Sequence, residues 1–179
     1  YPLKPVNLNL YVSNYTLIPS VQYRPIFPDE LPFLEEMLYE ALFVPEGKEK
    51  FPRSILQEPE VAKYILDWGT RTNDYALVAT WEEKLVGAIW GRIFHAKDPG
   101  YGFVDAHTPE ISMAVLGDFR GRGIGSQLLQ KIEEPYKEKG VKALSLSMDK
   151  RNPAKLLYYR MGYRLYSETS TSQTLRKSI

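Results

Sequence analysis

The segment Asp118–Gly125, DFRGRGIG, packs three glycines and two arginines into eight residues between an alternating apolar stretch and an amphipathic one. Glycines there let the backbone take positive φ and let a ligand approach it closely. The first amides of the following helix have no intrahelical acceptor, and the macrodipole places about half a positive charge at that end. The backbone of Gly121, Gly123, Ile124, Gly125 and Ser126, with Arg120 and Arg122, is therefore predicted to cradle an anion, most naturally a phosphate or pyrophosphate. The alternative is a plain connection from strand to helix.

Two nucleotide readings of this turn fail. A dinucleotide fingerprint needs a third glycine three residues after Gly123, where Ser126 stands, and an acidic residue about 20 positions on, which is missing. A phosphate-binding loop of the Walker type needs Gly-Lys-Ser/Thr, also missing.

The rest of the chain narrows the chemistry further. The 179 residues suit one domain, and 44% hydrophobic with 25% charged is ordinary for a globular chain. There is no cysteine, so disulfides, thiolate metal sites and cysteine nucleophiles are excluded. With only His95 and His107, a histidine-rich metal site is not expected. No apolar run approaches the roughly 20 residues of a membrane-spanning helix. The net charge of +1 leaves no nucleic-acid footprint. It hides an asymmetry: residues 1–116 carry 10 Lys/Arg against 16 Asp/Glu, and residues 117–164 carry 11 against 5. The second part suits an anion and the first a cation.

Residues 1–20 read as a peripheral strand or arm without the pattern of a signal peptide, and 21–179 as the domain. A strand near 21–26 leads to a helix with Asp29 as N-cap, Pro32 in its first turn, and Leu34, Met37, Leu38, Ala41 and Leu42 on one face. A loop over 43–58 precedes a helix at about 59–69 carrying Val61, Tyr64, Ile65 and Trp68. Strands Tyr75–Trp81 and Lys84–Phe94 join through a tight turn at Glu82–Glu83. After a glycine- and proline-containing loop at 97–109 come a strand over 110–116, a helix over about 121–139 that Pro135 should kink or end early, and a strand over 143–148. Asn152–Pro153 starts a last helix, Gly162 stops it, and a final strand begins at Tyr163–Tyr166.

The pattern Arg-x-x-Gly-x-Gly at Arg120, Gly123 and Gly125, preceded by ISMAV and followed downstream by NPAKLLYYRMGY at 152–163, resembles the GNAT superfamily of acyl-CoA-dependent N-acetyltransferases. The resemblance spans about residues 22–168 and is most specific over 110–163. It implies a single-domain α/β fold: a central mixed, mostly antiparallel sheet, splayed between the strands at about 110–116 and 143–148 and flanked by about four helices. It also implies acetyl-CoA as co-substrate, with its pyrophosphate on the Arg120–Gly125 turn near Ser126. The pantetheine would pair with the backbone of Met113, Ala114 and Val115. Lys150, Arg151 and Lys155 are candidates for the adenosine phosphates, on position and charge. Asn152 is a further cofactor-binding candidate, but before proline at a helix start it reads first as a cap, with substrate contact secondary.

An alkyl ammonium with a pKa near 10.4 is neutral only about once in 2,500 at pH 7, equivalent to roughly 4.6 kcal/mol. A base must take its proton before attack on the thioester. By the resemblance Glu110 is that base and Tyr158 the acid for the leaving thiolate, with an amide near Val115 for the oxyanion. From the residues alone, Glu110 is equally a solvated carboxylate at a strand end, and Asp105 and His107 are rival bases. Tyr158 is equally a core tyrosine, with Tyr159 as its neighbouring rival. His95 reads as structural. The aromatic residues 43, 51, 101 and 103, with Trp68 and Trp90, line an acceptor pocket or simply anchor core and loops.

The expectation is an N-acetyltransferase acting on a small-molecule or peptide amine, cytoplasmic, with no nucleic acid, membrane or metal partner, and with homodimerisation left open. The alternatives are a longer acyl donor or a catalytically silent acyl-CoA-binding sensor.

Overall fold

A computed structural model describes residues 20–179. The expected arm at 1–20 lies, apart from Ser20, outside the described residues. Seven strands form one sheet in the order β1-β2-β3-β4-β5-β7-β6. They are β1 (Val21–Pro25), β2 (Tyr75–Trp81), β3 (Lys84–Arg92), β4 (Glu110–Val115), β5 (Ala143–Asp149), β6 (Arg164–Glu168) and β7 (Ser172–Ser178). Every neighbouring pair is antiparallel except β4 with β5.

The central strands are buried on both sides, so their sequences are nearly continuous apolar runs. In β2, Leu77 and Ala79 face one core and Ala76 and Val78 the other. The first core is closed by α3 (Ile124–Lys131) and α4 (Glu133–Glu138) through Ile124, Leu128, Leu129 and Tyr136. Truncating a fully buried leucine such as Leu128 costs about 2–5 kcal/mol. The second core is closed by α1 (Leu31–Ala41) and α2 (Pro59–Ala62) through Leu34, Met37, Leu38 and Val61. A fifth helix, α5 (Lys155–Arg160), joins β5 to β6. The tight turn between β2 and β3 has Glu82 and Glu83 at φ 47° and 66°, the left-handed pair that matches strand twist.

Several expectations change. Asp29 lies inside a short 3-10 turn, Pro28–Glu30, so it is not the cap of α1; Glu30 occupies that place, accepting the Phe27 amide and pairing with Arg24 at 2.6 Å. The expected helix at 59–69 is α-helical only over Pro59–Ala62. Beyond it the chain coils through tight turns to Asp67 at φ 51°, and the buried Arg92 guanidinium takes the carbonyls of Lys63 and Leu66 at 2.8 and 2.7 Å. The helix after the glycine turn breaks at Ile132 into α3 and α4. Pro135 supplies no N–H to the carbonyl four residues back, as expected of it. Beyond the expected last strand, β6, the chain returns as a further strand, β7, between β5 and β6.

Candidate active site

Strands β4 and β5 meet at a single ladder position, Glu110 opposite Ser145, with the Ser145 amide on the Pro109 carbonyl at 3.0 Å. From there they diverge. On its other side β4 is fully paired with β3 from Glu110 to Val115. The Leu116 amide bonds to the Val86 carbonyl, so by antiparallel alternation the backbone groups of Met113 and Val115 turn away from β3 into the opening, while those of Ala114 face β3. The opening widens into a cleft of about 1350 Å³ lined by β4, the glycine turn, the end of α1 and the start of α5.

At one end of the cleft stands the glycine turn. Gly121 and Gly123 have φ of +74° and +80°, a conformation that L side chains rarely adopt. Among the described residues, the amides of Gly121 through Ser126 find no acceptor within the protein. These six amides at the N-terminus of α3 are free to meet water or an anion, and the helix end favours negative charge. Gly125 forms the adjoining floor, since a Cβ there would stand 3.3 Å from Met113 and 3.4 Å from Leu157.

Of the two arginines of the turn, Arg120 lines the cleft and Arg122 does not. Arg120 folds back, donating Nε–H to the Val115 carbonyl at 2.8 Å and pairing with Glu40 on α1 at 3.1 Å. Arg122 is absent from the cleft wall and lies over the rings of Phe119 and Trp81, at 5.4 and 5.8 Å. Lys155 also lies outside the wall, whereas Asn152 and Tyr158 line it. The Asn152 side chain accepts the Ala154 amide at 2.9 Å in a turn just ahead of α5, whose cap position is Ala154 and not Asn152. Lys150 pairs with Glu168 and Arg151 with Asp149.

At the strand junction stands Glu110, only 3% exposed. Its Oε1 accepts the Tyr64 hydroxyl at 2.7 Å, while no hydrogen bond of normal geometry reaches Oε2. Burial pushes its carboxyl up to about 7; the Tyr64 hydroxyl, the nearby Gly102 amide and the Lys63 charge pull the other way. The loop over it comes close only because Gly100 and Gly102 lack side chains. A Cβ on Gly102 would stand 2.6 Å from the Leu146 carbonyl carbon and 2.7 Å from the Ser147 amide. Glu110 is thus not a solvated strand-end carboxylate. Of its rivals, Asp105 accepts the His107 amide, and both lie outside the cleft, around a separate hollow near Lys142 and Arg176. Tyr158 reaches the cleft with its ring edge toward Tyr163, and burial raises its hydroxyl to about 12. It stays a proton donor through the neutral range. Tyr159 instead points its hydroxyl toward Gln173.

Sequence reasoning assigned Tyr64 only to a helix face. Its hydroxyl contacts Glu110 across 46 residues of chain, and no local pattern carries that signal. Of the expected acceptor aromatics, Phe43, Phe51 and Tyr101 line the cleft, whereas Trp90 is fully buried and Trp68 lies under Arg92.

A family model described as the acetyltransferase (GNAT) family matches residues 33–163. The chain belongs to that family. The fold agrees with solved structures of it at low identity. The PaiA N-acetyltransferase of Thermoplasma acidophilum, in complex with coenzyme A, is 18% identical over 89% of this chain and 99% of its own, with a TM-score of 0.61. The ribosomal-protein-alanine N-acetyltransferase of Brucella melitensis is 21% identical over 88% and 99%, at 0.61. The ribosomal-protein-S18-alanine N-acetyltransferase of Escherichia coli is 14% identical over 89% and 94%, at 0.62. No curated protein sequence matches the chain significantly. Acetyl-CoA as co-substrate fits what the cleft offers: free amides for a pyrophosphate and a free strand edge for an extended amide-bearing arm. Among the described residues no group of side chains is arranged to hold a metal, and no helix is long and apolar enough to cross a membrane.

Proposed function

We propose that this GNAT protein moves the acetyl group of acetyl-CoA to a primary amine by direct attack on the thioester. The observation that carries the reading is Glu110: a buried carboxyl poised at about 7, with one oxygen unpaired, at the junction where the free edge of β4 begins. Neighbours whose names specify N-acetyl transfer support nitrogen as the acceptor atom. A cytoplasmic setting belongs to the same reading.

In this mechanism the Gly121–Ser126 amides hold the pyrophosphate and the edge at Met113 and Val115 orients the pantetheine. The ammonium gives a proton to Glu110, and the freed nitrogen forms a bond to the thioester carbon. The charge gathered on the carbonyl oxygen is met by a backbone amide near Val115. The carbon–sulfur bond then breaks and the sulfur takes the Tyr158 proton; the second proton of the acylated nitrogen passes through water to the Tyr158 oxygen, which restores the phenol, and Glu110 returns its proton to solvent. The products are an acetamide and the CoA thiol.

Two measurements test this together. Calorimetry should show one acetyl-CoA per chain, with affinity lost in Gly123→Ala and kept in Glu110→Gln. The chain has no thiol of its own, so released CoA can be read with a thiol reagent across an amine panel. There Glu110→Gln should lose about 10²–10⁴-fold in kcat/KM. Undiminished turnover in both Glu110→Gln and Tyr158→Phe would remove both residues from the mechanism. Binding without turnover of any amine would leave an acyl-CoA sensor.

A further inference from the structure

The Tyr64 hydroxyl stands between two partners at equal distance, donating to Glu110 Oε1 at 2.7 Å and accepting the Tyr101 amide at 2.7 Å. The second bond settles the first. An amide can only donate, so it occupies the phenol oxygen and leaves the phenol proton to Glu110. Oε1 is thereby committed as an acceptor in either charge state, and the proton that Glu110 gains and loses sits on Oε2. We infer that Tyr64 is the positioning residue of this site, selecting Oε2 of Glu110 as the proton-exchanging atom and stabilising the carboxylate it leaves behind.

The scaffold behind Tyr64 is built for a fixed position. Lys63, 6% exposed, donates to Glu60 at 2.6 Å, to Asp98 at 3.0 Å and to the Pro99 carbonyl at 2.7 Å, tying the loop over Glu110 to the segment that carries Tyr64. Arg92, locked to Asp74 at 2.7 Å with both side chains 1% exposed, holds the Lys63 and Leu66 carbonyls on either side of that tyrosine. Ring contacts complete the seat: Phe94 at 4.9 Å, tilted, and Tyr101 stacked at 6.3 Å.

The groups around Glu110 leave Tyr64 as the one that acts on it by direct contact. Arg92, its ladder partner on β3, spends its guanidinium on Asp74 and the carbonyls. Lys63 acts through its charge at longer range. Ser145, opposite on β5, is neutral and its hydroxyl has no partner; Arg176 lies one strand further, on β7. From the loop, Gly102 offers only an amide, and the Tyr101 hydroxyl lies beyond a mostly exposed ring.

The test reads Glu110 directly and needs no acceptor. In protein labelled with carbon-13 at the glutamate carboxyls, the Glu110 signal is identified by its loss in Glu110→Gln. Tyr64→Phe should move its titration midpoint upward by about one pH unit, the size of one hydrogen bond to a charged group. Replacing Tyr64 with 2,3-difluorotyrosine, near in shape and a stronger donor, should move the midpoint downward, which guards against a phenylalanine variant that fails to fold. Acetyl-CoA affinity should stay within about two-fold in both. The inference is overturned if either variant leaves the midpoint unmoved or shifts it the other way. It rests on the proposed base for its meaning but not for its result. If acetyl-CoA failed to bind, the reaction would fall while the titration still stood.

Discussion

Between pH 4.5 and about 7 the folded chain holds a proton on Glu110 that the unfolded chain has released, because burial disfavours the carboxylate more than its neighbours favour it. Below 4.5 both states are protonated and the residue is neutral to stability. As pH rises through this window the folded state binds the extra proton, so stability falls, and above about 7 the loss levels off. The loss across this window is on the order of 3 kcal/mol. Glu110→Gln keeps an acceptor for the Tyr64 hydroxyl and removes the charge. It should therefore be more stable than the parent at pH 8, equal to it near pH 4.5, and nearly inactive. Urea unfolding at the two pH values checks this, and an unchanged slope in the variant would refute it. Activity that needs the carboxylate rises over the same range in which stability falls. The sequence supplied Glu110 as one of three candidate bases. What decides among them is burial, which comes from the folding-back of the Gly100–Gly102 loop just before β4 and from Tyr64, 46 residues away in the chain.

Strand β4 carries one paired edge and one free edge, and the two should differ in amide exchange. The Ala114 amide faces β3 and should exchange slowly with or without ligand. The Met113 and Val115 amides should exchange quickly in the free protein and slow when acetyl-CoA is added; protection of all three before addition would contradict the free edge. At this scale the sequence was readable wherever a signal was contiguous. The glycine turn, the Glu82–Glu83 reversal and the Pro135 break are each set by residues a few positions apart. The segment at 59–69 was not, since its apolar spacing suits a helix while its carbonyls are claimed by Arg92 from another strand. Strand β7 carries only Leu175 as a strongly apolar residue within Ser172–Ser178, so its alternation is silent. Arg122 shows the same limit: its place in the motif suggested an anion contact, and the rings of Trp81 and Phe119 hold it elsewhere.

Over the whole molecule the acidic excess of residues 1–116 is only partly met by ion pairs. Glu30, Glu36 and Asp74 pair with Arg24, Arg53 and Arg92 of the same stretch, and Glu40 pairs with Lys50 and with Arg120 from the basic part. Among the carboxylates lining the cleft, Glu110 is the one without an ion-pair partner. The junction of the two half-sheets has a consequence in time. Strands β2, β3 and β4 pair with near neighbours in sequence, as do β6 and β7, whereas Glu110 and Ser145 must find each other across a long loop. Closing such loops is slow relative to local pairing. The two halves are expected to form separately and join last. Truncations inside one half, such as Val78→Ala, should slow folding, while Ser145→Gly should chiefly hasten unfolding; a slowed folding arm for Ser145→Gly would place the junction early instead. On this order the pocket around Glu110 closes only when the two half-sheets join, and, if Glu110 is the base proposed above, no partly assembled intermediate can carry out the reaction.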